Sequence, residues 1–398
     1  MGEVDYVIGV HPSVHAIDAA SWDALLALQT QPSPFMRHAY LAALEDSGCA
    51  STATGWTPHC VALHANGVLQ AACMVYLKDH SYGEYVFDWA WASAYQQHGL
   101  PYYPKAVIAV PFTPVPGARL LARDAQARAA LLRAVVAWCE EVGASSLHTL
   151  FASEEDVQAS ASAKLMERHT VQFHWRNTQP GYADFDAFLA SLAQDKRKKI
   201  RQERRKVAEA GVTFRHAQGT DISDADWDFF YRCYERTYLE HGNPPYLNRD
   251  FFARLARTMP ENWLLFVAER NGRPIASSLI AVGAYSTRAT DQNGTETTRV
   301  AYGRYWGALE PVDCLHFEAC YYQPLQWCMA NAHQRFEGGA QGEHKMARAL
   351  MPVKTTSTHW LAHPAFADAV ARFLEREGQG IGHYLDDLGQ RSPFRQPV

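Results

Sequence analysis

None of the eight cysteines stands in a C-x-x-C pair, and no Cys/His set has zinc-finger spacing. Cys49, Cys60, Cys73, Cys139, Cys233, Cys314, Cys320 and Cys328 are scattered, which predicts reduced thiols, no metal centre and a cytosolic setting. Long apolar runs are missing too: a membrane span needs about 18 such residues in sequence, and no stretch approaches that, so no membrane insertion is expected. The first twenty residues carry Glu3, Asp5 and Asp18 and no basic segment ahead of an apolar run, which argues against a signal peptide and makes the cytoplasm the expected compartment. Positive charge is not in excess, since 37 Lys and Arg face 42 Asp and Glu for a net charge of −5. The chain as a whole is therefore no nucleic-acid coat or membrane-surface binder, and any polyanion contact must be local. A G-x-S-x-G elbow is absent, which counts against a nucleophilic serine of that type.

What is present repeats itself. A chain of 398 residues fits two domains of about 150 to 200 residues each. Apolar runs at 59–64 and 68–76 flank Asn66-Gly67, and runs at 263–269 and 274–280 flank Asn271-Gly272; this dipeptide favours the two-residue type I′ hairpin. In the first half a strand (106–110), a helix (124–141) and a strand (146–151) follow; in the second, a strand (299–306), a helix (313–332) and a strand at Arg335-Phe336-Glu337. Each half then adds a strand ending in His-Trp, at His174-Trp175 and His359-Trp360. Helical patterns precede the hairpins at 21–29, 36–46, 224–239 and 248–259, and an extra loop is expected around Ala92 to Pro104. The expectation is a duplicated α+β unit, each copy a mixed, mostly antiparallel sheet flanked by helices. The domains would be 1–178 and 179–398, with the second opening on a basic helical arm at 184–211.

That arm carries Phe185, Phe188, Leu189 and Leu192 at helical spacing, then Lys196, Arg197, Lys198, Lys199, Arg201, Arg204, Arg205 and Lys206. Asp184 suits the start and Gly211 the stop of one helix. Taken alone, such a charge run reads as a solvated face; in an acidic protein it points to phosphate contact, with Lys198 and Arg201 as its representatives.

With these features in view, the chain resembles the FemAB-like predicted N-acyltransferases of the GNAT superfamily. The resemblance spans most of the chain and is strongest at Tyr302-Gly303-Arg304-Tyr305-Trp306-Gly307, at 315–323, and at Gly339-Ala340-Gln341-Gly342-Glu343-His344-Lys345. The arm is similar to the basic segment that opens the second domain of Fem-type aminoacyl transferases. The resemblance implies tandem GNAT-like domains and transfer of an acyl or aminoacyl group to an amine, the acceptor being a small molecule, a peptide or a peptidoglycan precursor. Two donors stay open, aminoacyl-tRNA held by the arm and acyl-CoA as co-substrate, with no tightly bound cofactor. The CoA loop pattern [RQ]-x-x-G-x-[GA] is absent from 306–313, which counts against CoA. From a different class, the alternative is a non-catalytic module that recognises a peptide or cell-wall precursor.

Acyl transfer to an amine needs a base for the nitrogen's proton and donors for the oxyanion. Glu343 and His344 follow a glycine-rich turn and are the first candidates for base or amine anchor; Lys345 would pair with an anion. Backbone N–H groups around Gly339, Gln341 and Gly342 would serve an oxyanion or a phosphate. His316 and Glu318 near a helix start are further catalytic candidates, too close in sequence to share a helix face as a metal pair. Strand alternation predicts that Tyr302, Arg304 and Trp306 line one surface, an arginine among aromatics suited to a carboxylate, phosphate or base.

Overall fold

The computed structural model describes residues 5–288, 295–340 and 342–395. Thirteen strands occur among them: β1 (Val7–His11), β2 (Trp56–Ala65), β3 (Val68–Lys78), β4 (Lys105–Ile108), β5 (Leu121–Ala122), β6 (Ser146–Thr149), β7 (Met166–Arg176), β8 (Val212–Gln218), β9 (Trp263–Arg270), β10 (Arg273–Arg288), β11 (Thr295–Ala308), β12 (Arg335–Ala340) and β13 (Met351–Leu361). Two compact units emerge, one of Met1–Thr170 with Lys354–Tyr384, the other of Val171–Val353 with Leu385–Val398. The first unit's long segment thus ends at Thr170, ahead of the boundary expected after residue 178, and that unit also takes a later piece of chain.

Both hairpins form as their dipeptides require. Asn66 and Gly67 have φ of 51° and 75°, Asn271 and Gly272 of 54° and 71°, the left-handed pairs of a type I′ turn. In the first unit the strand order is β1-β2-β3-β4-β6-β13, with β5 beside β3. Every pairing there is antiparallel except β4 with β6. The helix Ala125–Glu141 begins where the Asp124 carboxylate accepts the Ala127 N–H at 2.8 Å, and it buries Leu131, Leu132 and Val135 against Val61, Cys73 and Leu147. Each such side chain contributes on the order of 1.5–3 kcal/mol of apolar burial.

In the second unit the order is β7-β12-β11-β10-β9-β8, antiparallel throughout except β11 with β12. The α+β class and the mixed, mostly antiparallel sheets are as expected in both units. Two expectations of detail fail. The 92–104 segment is not plain loop, because Trp89–Gln97 forms a helix that buries Trp91 and Tyr95. The arm is not one helix but two, Phe185–Ser191 and Gln194–Glu209. Leu192 and Ala193 are extended between them: the Ala193 N–H donates to the Pro393 carbonyl at 2.8 Å, and Leu192 bridges Phe394 and is fully buried. Helical spacing cannot reveal that break, since its cause lies two hundred residues away in sequence. The 27-residue helix Pro364–Gln390 was likewise not anticipated.

Candidate active site in the second unit

β11 and β12 run parallel and pair at only three positions, Val300 with Arg335, Ala301 with Phe336 and Tyr302 with Glu337. Beyond them the second unit holds a pocket of about 140 Å³ lined by Gly303, Arg304, Tyr305 and Trp306 from β11, Phe336 and Gly338 from β12, Ser278 from β10, and His316, Cys320 and Tyr321 from the following helical segment. Gly338 is required by close packing, because a Cβ there would lie 2.3 Å from Leu350 Cδ2 and 2.8 Å from the Phe173 carbonyl oxygen.

A bulge shapes the strand wall. Leu279 pairs with Tyr305 and Ile280 with Gly303, which makes Arg304 the extra residue of β11. The bulge breaks the expected alternation: Arg304 and Trp306 line the pocket, whereas Tyr302 is buried outside its lining and its hydroxyl donates to Tyr285 Oη at 3.4 Å. The Arg304 guanidinium lies 5.1 Å from the Tyr305 ring centre.

The helical wall comes from a short helical turn Leu315–Phe317, a π-helical turn Glu318–Tyr322 and the helix Gln323–Ala330. π-turns frequently mark functional sites. His316 Nδ1 lies 3.6 Å from Cys320 Sγ, and the imidazole sits edge-on to Trp306 with ring centres 5.4 Å apart. The imidazole has an exposed edge yet is surrounded by protein; that crowding, with His344 and the cationic Arg348 and Lys345 nearby, lowers its pKa to about 4. At neutral pH His316 is therefore uncharged and carries a lone pair. Burial pushes the Cys320 thiol up to about 12, so it is a neutral thiol and no ready nucleophile.

The other expected residues divide. Glu318 is buried and points away to the arm, where it accepts from Arg204 Nε at 3.1 Å and from Gln323 Nε2 at 2.7 Å. Glu343 is exposed and bound to Arg391 at 2.9 Å, outside the pocket lining. His344 is one residue removed from the pocket, its Nε2 3.5 Å from the hydroxyl of Tyr321. Lys345 is buried and donates to the carbonyls of Gly338 at 2.6 Å and Ala340 at 2.9 Å, and burial lowers its pKa to about 8. It pins the end of β12 rather than meeting an outside anion. Gly339 and Gly342 adopt φ of 73° and 90°, as their turn needs, but do not line the pocket, and Gln341 lies outside the described residues. Among the described residues no group of His, Cys, Asp or Glu could hold a metal ion.

The arm supplies a separate surface. Gln194, Arg197, Lys198, Arg201 and Arg205 fall on one face of Gln194–Glu209 and line a groove of about 550 Å³. The opposite face buries Ile200, Glu203 and Val207. Glu203 accepts from Arg348 Nη2 at 2.7 Å and from the Tyr322 hydroxyl, while Arg348 stacks on Phe317 at 3.7 Å. Glu203 and Glu318 thus clamp the cationic helix to the segment that carries His316.

Sequence reasoning missed Ser278, Gly303, Tyr305, Cys320, Tyr321, Phe336 and Gly338 as lining. Gly303, Tyr305, Cys320 and Tyr321 lie within the stretches of strongest resemblance, and Cys320 also stands four residues after His316.

The FemAB-like family model, described as peptidoglycan biosynthesis/recognition, matches residues 13–396. No curated protein matches the chain. Among solved structures, FemX is similar over 89% of this chain and 98% of its own, at 10% identity and a TM-score of 0.52. The C-terminal domain of a protein described as a lysylphosphatidylglycerol synthetase from Agrobacterium fabrum is similar over 92% and 97%, at 12% identity and a TM-score of 0.51. A tandem GNAT protein from the clavulanic acid biosynthesis pathway is similar over 91% and 99%, at 11% identity and a TM-score of 0.44. The fold is that of FemX, and the chain belongs to the FemAB-like family.

Proposed function

We propose that this protein transfers an aminoacyl or acyl group from an activated donor to an amine on a peptide or peptidoglycan precursor, and that the pocket at the end of the β11/β12 pair receives the acyl group. The observation that carries the reading is the joining of three features in one unit: a small recess beside a strand bulge, a neutral imidazole in its wall, and a cationic helix clamped to that wall. In the step envisaged, the amine nitrogen attacks the donor carbonyl carbon and the oxyanion is taken by donors at the bulge. His316 accepts the nitrogen's proton and returns a proton to the departing oxygen or sulfur as the carbonyl re-forms.

Aminoacyl-tRNA is the donor this surface favours. Arg197, Lys198, Arg201 and Arg205 suit a phosphate backbone. The connection ahead of residue 315 holds Asp313, bound to Lys206 at 2.7 Å, and Glu310, bound to Arg270, and it lacks the glycine-rich loop that cradles a pyrophosphate. Charged tRNA and acyl-CoA, each offered with a lysyl peptide, test the choice. Amine-dependent loss of label from tRNA, abolished in Lys198→Glu with Arg201→Glu, is the expected result. Amine-dependent release of free CoA from the thioester, with tRNA inert, would overturn the donor assignment, and affinity without turnover on any donor would leave a recognition module.

A further inference from the structure

Arg348 is a buried cation that the step above does not use. It closes the helical turn Glu343–Arg348 after β12, where its Nη2 donates to Glu203 Oε2 at 2.7 Å and its Nη1 to the His344 carbonyl at 2.8 Å. The guanidinium lies over the Phe317 ring, 3.7 Å from its centre, with the Tyr321 and Tyr322 rings 5.8 and 5.7 Å away. Phe317 and Tyr321 in turn flank His316, both with ring centres 5.7 Å from the imidazole and inclined to it at 67° and 84°. Each ring thus neighbours both the guanidinium and the imidazole of the pocket wall.

Stability alone does not account for a guanidinium here. Burying an ion pair costs more than its attraction returns unless every remaining donor is matched, and Arg348 Nε is buried without a hydrogen-bond partner among the described residues. Apolar side chains of similar volume would fill the same space without that cost. What they lack is a planar group of fixed orientation and a positive charge. Both bear on His316. Burial first, then His344, Arg348 and Lys345 of the turn after β12, oppose its protonation, while Cys320 and Tyr321 of its own segment and Arg304 of β11 are the other titratable groups around it.

We propose that Arg348 is a positioning residue for the transfer step: through Phe317 and Tyr321 it fixes the His316 imidazole in the pocket wall, and through Glu203 it ties that imidazole to the helix that carries the outer cations. The inference rests on the acyl-transfer reading above and adds a residue that touches neither substrate nor reacting atoms.

The double variant Glu203→Leu with Arg348→Met separates positioning from packing, because it removes the ion pair and keeps the volume. It should recover much of the Tm lost in Arg348→Ala. Its kcat should still fall by about 10-fold or more while KM for the donor stays within a few-fold, since the outer cations and the pocket lining are untouched and only the base is released. Phe317→Leu, which removes a ring beside the imidazole and leaves the ion pair, should show the same split and serves if the double variant does not fold. Unchanged kcat in a folded variant would overturn the proposal and leave acyl transfer intact, with Arg348 as packing alone. Imidazole NMR, with His316→Gln to assign the resonance, gives a readout that needs no turnover: the His316 midpoint should move up from about 4 towards 6.5 in the double variant. If the wild type transfers nothing from any donor, the functional reading fails by itself and the titration decides, a shifted midpoint keeping Arg348 as the residue that sets the state of His316 and an unmoved one overturning that role.

Discussion

Gly307 has no room for a side chain: a Cβ there would lie 1.9 Å from the carbonyl oxygen of Cys233, on the helix Asp224–Glu240. Because the obstacle is backbone, Gly307→Ala must push that helix off β11. The expected cost is about 1–3 kcal/mol or more, seen as a lowered Tm. At the same scale, the pocket takes in His316 and leaves out His344, Glu318 and Glu343, all four of them catalytic candidates in the sequence. His316→Ala should lower turnover by roughly 10²-fold with the fold intact, since it removes the neutral imidazole from the wall. Glu343→Gln should stay within a few-fold of wild type, because Glu343 is an exposed partner of Arg391. Steady-state kinetics on both variants distinguish these outcomes, and the reverse order would move the proton acceptor to the turn.

Among the elements, the Gln194–Glu209 helix has two unlike faces with separate consequences. Its inner face holds the Glu203–Arg348 pair, whose side chains are 9% and 2% exposed. Arg348→Ala leaves Glu203 buried without that cation and should cost on the order of 3–5 kcal/mol. Replacing both residues by apolar ones of similar volume should restore much of the loss, and urea denaturation of the single and double variants measures the difference. On the outer face Lys198 is exposed, so Lys198→Glu should weaken polyanion binding with little change in stability. The outer face was legible because its charge pattern is local. The inner pair was not, since Glu203 reads as one more helix-surface residue until residue 348 arrives beside it.

For the whole molecule, the buried histidines govern acid stability. Burial lowers the pKa of His148 and His174 to about 3 and of His333 to about 4, and takes His359 well down. In the unfolded chain each protonates near pH 6.5, so the unfolded state binds more protons below that value and stability falls from about pH 6.5 towards 4. Glu84 and Glu337 act oppositely. Burial raises both to about 7, and since the folded state then holds their protons first, they add stability as pH falls from about 7 towards 4.5. Four histidines outweigh two glutamates, so the Tm should drop between pH 7 and 5. His148→Gln should shrink that drop; an unchanged pH profile would show that the imidazole is not held neutral.

The duplicated order of elements was readable because hairpin dipeptides, caps and apolar periodicity act over a few residues. The pocket of the second unit was decided by packing. In the first unit the parallel pair of β4 and β6 likewise spans three positions, ending at Ile108 with Thr149, and the buried Arg119 guanidinium donates to the carbonyls of Leu150, Gly117 and Val115. In the second unit the pairing stops at Tyr302 and the bulge at Arg304 turns the strand wall. By itself the sequence determined the repeated α+β plan, the cationic helix and the candidate motifs, all written in short-range patterns. Only the tertiary structure decided that Phe336, Cys320 and Ser278 meet His316 while Glu343 faces solvent, because a register shift in one strand re-aims side chains whose neighbours come from distant parts of the chain.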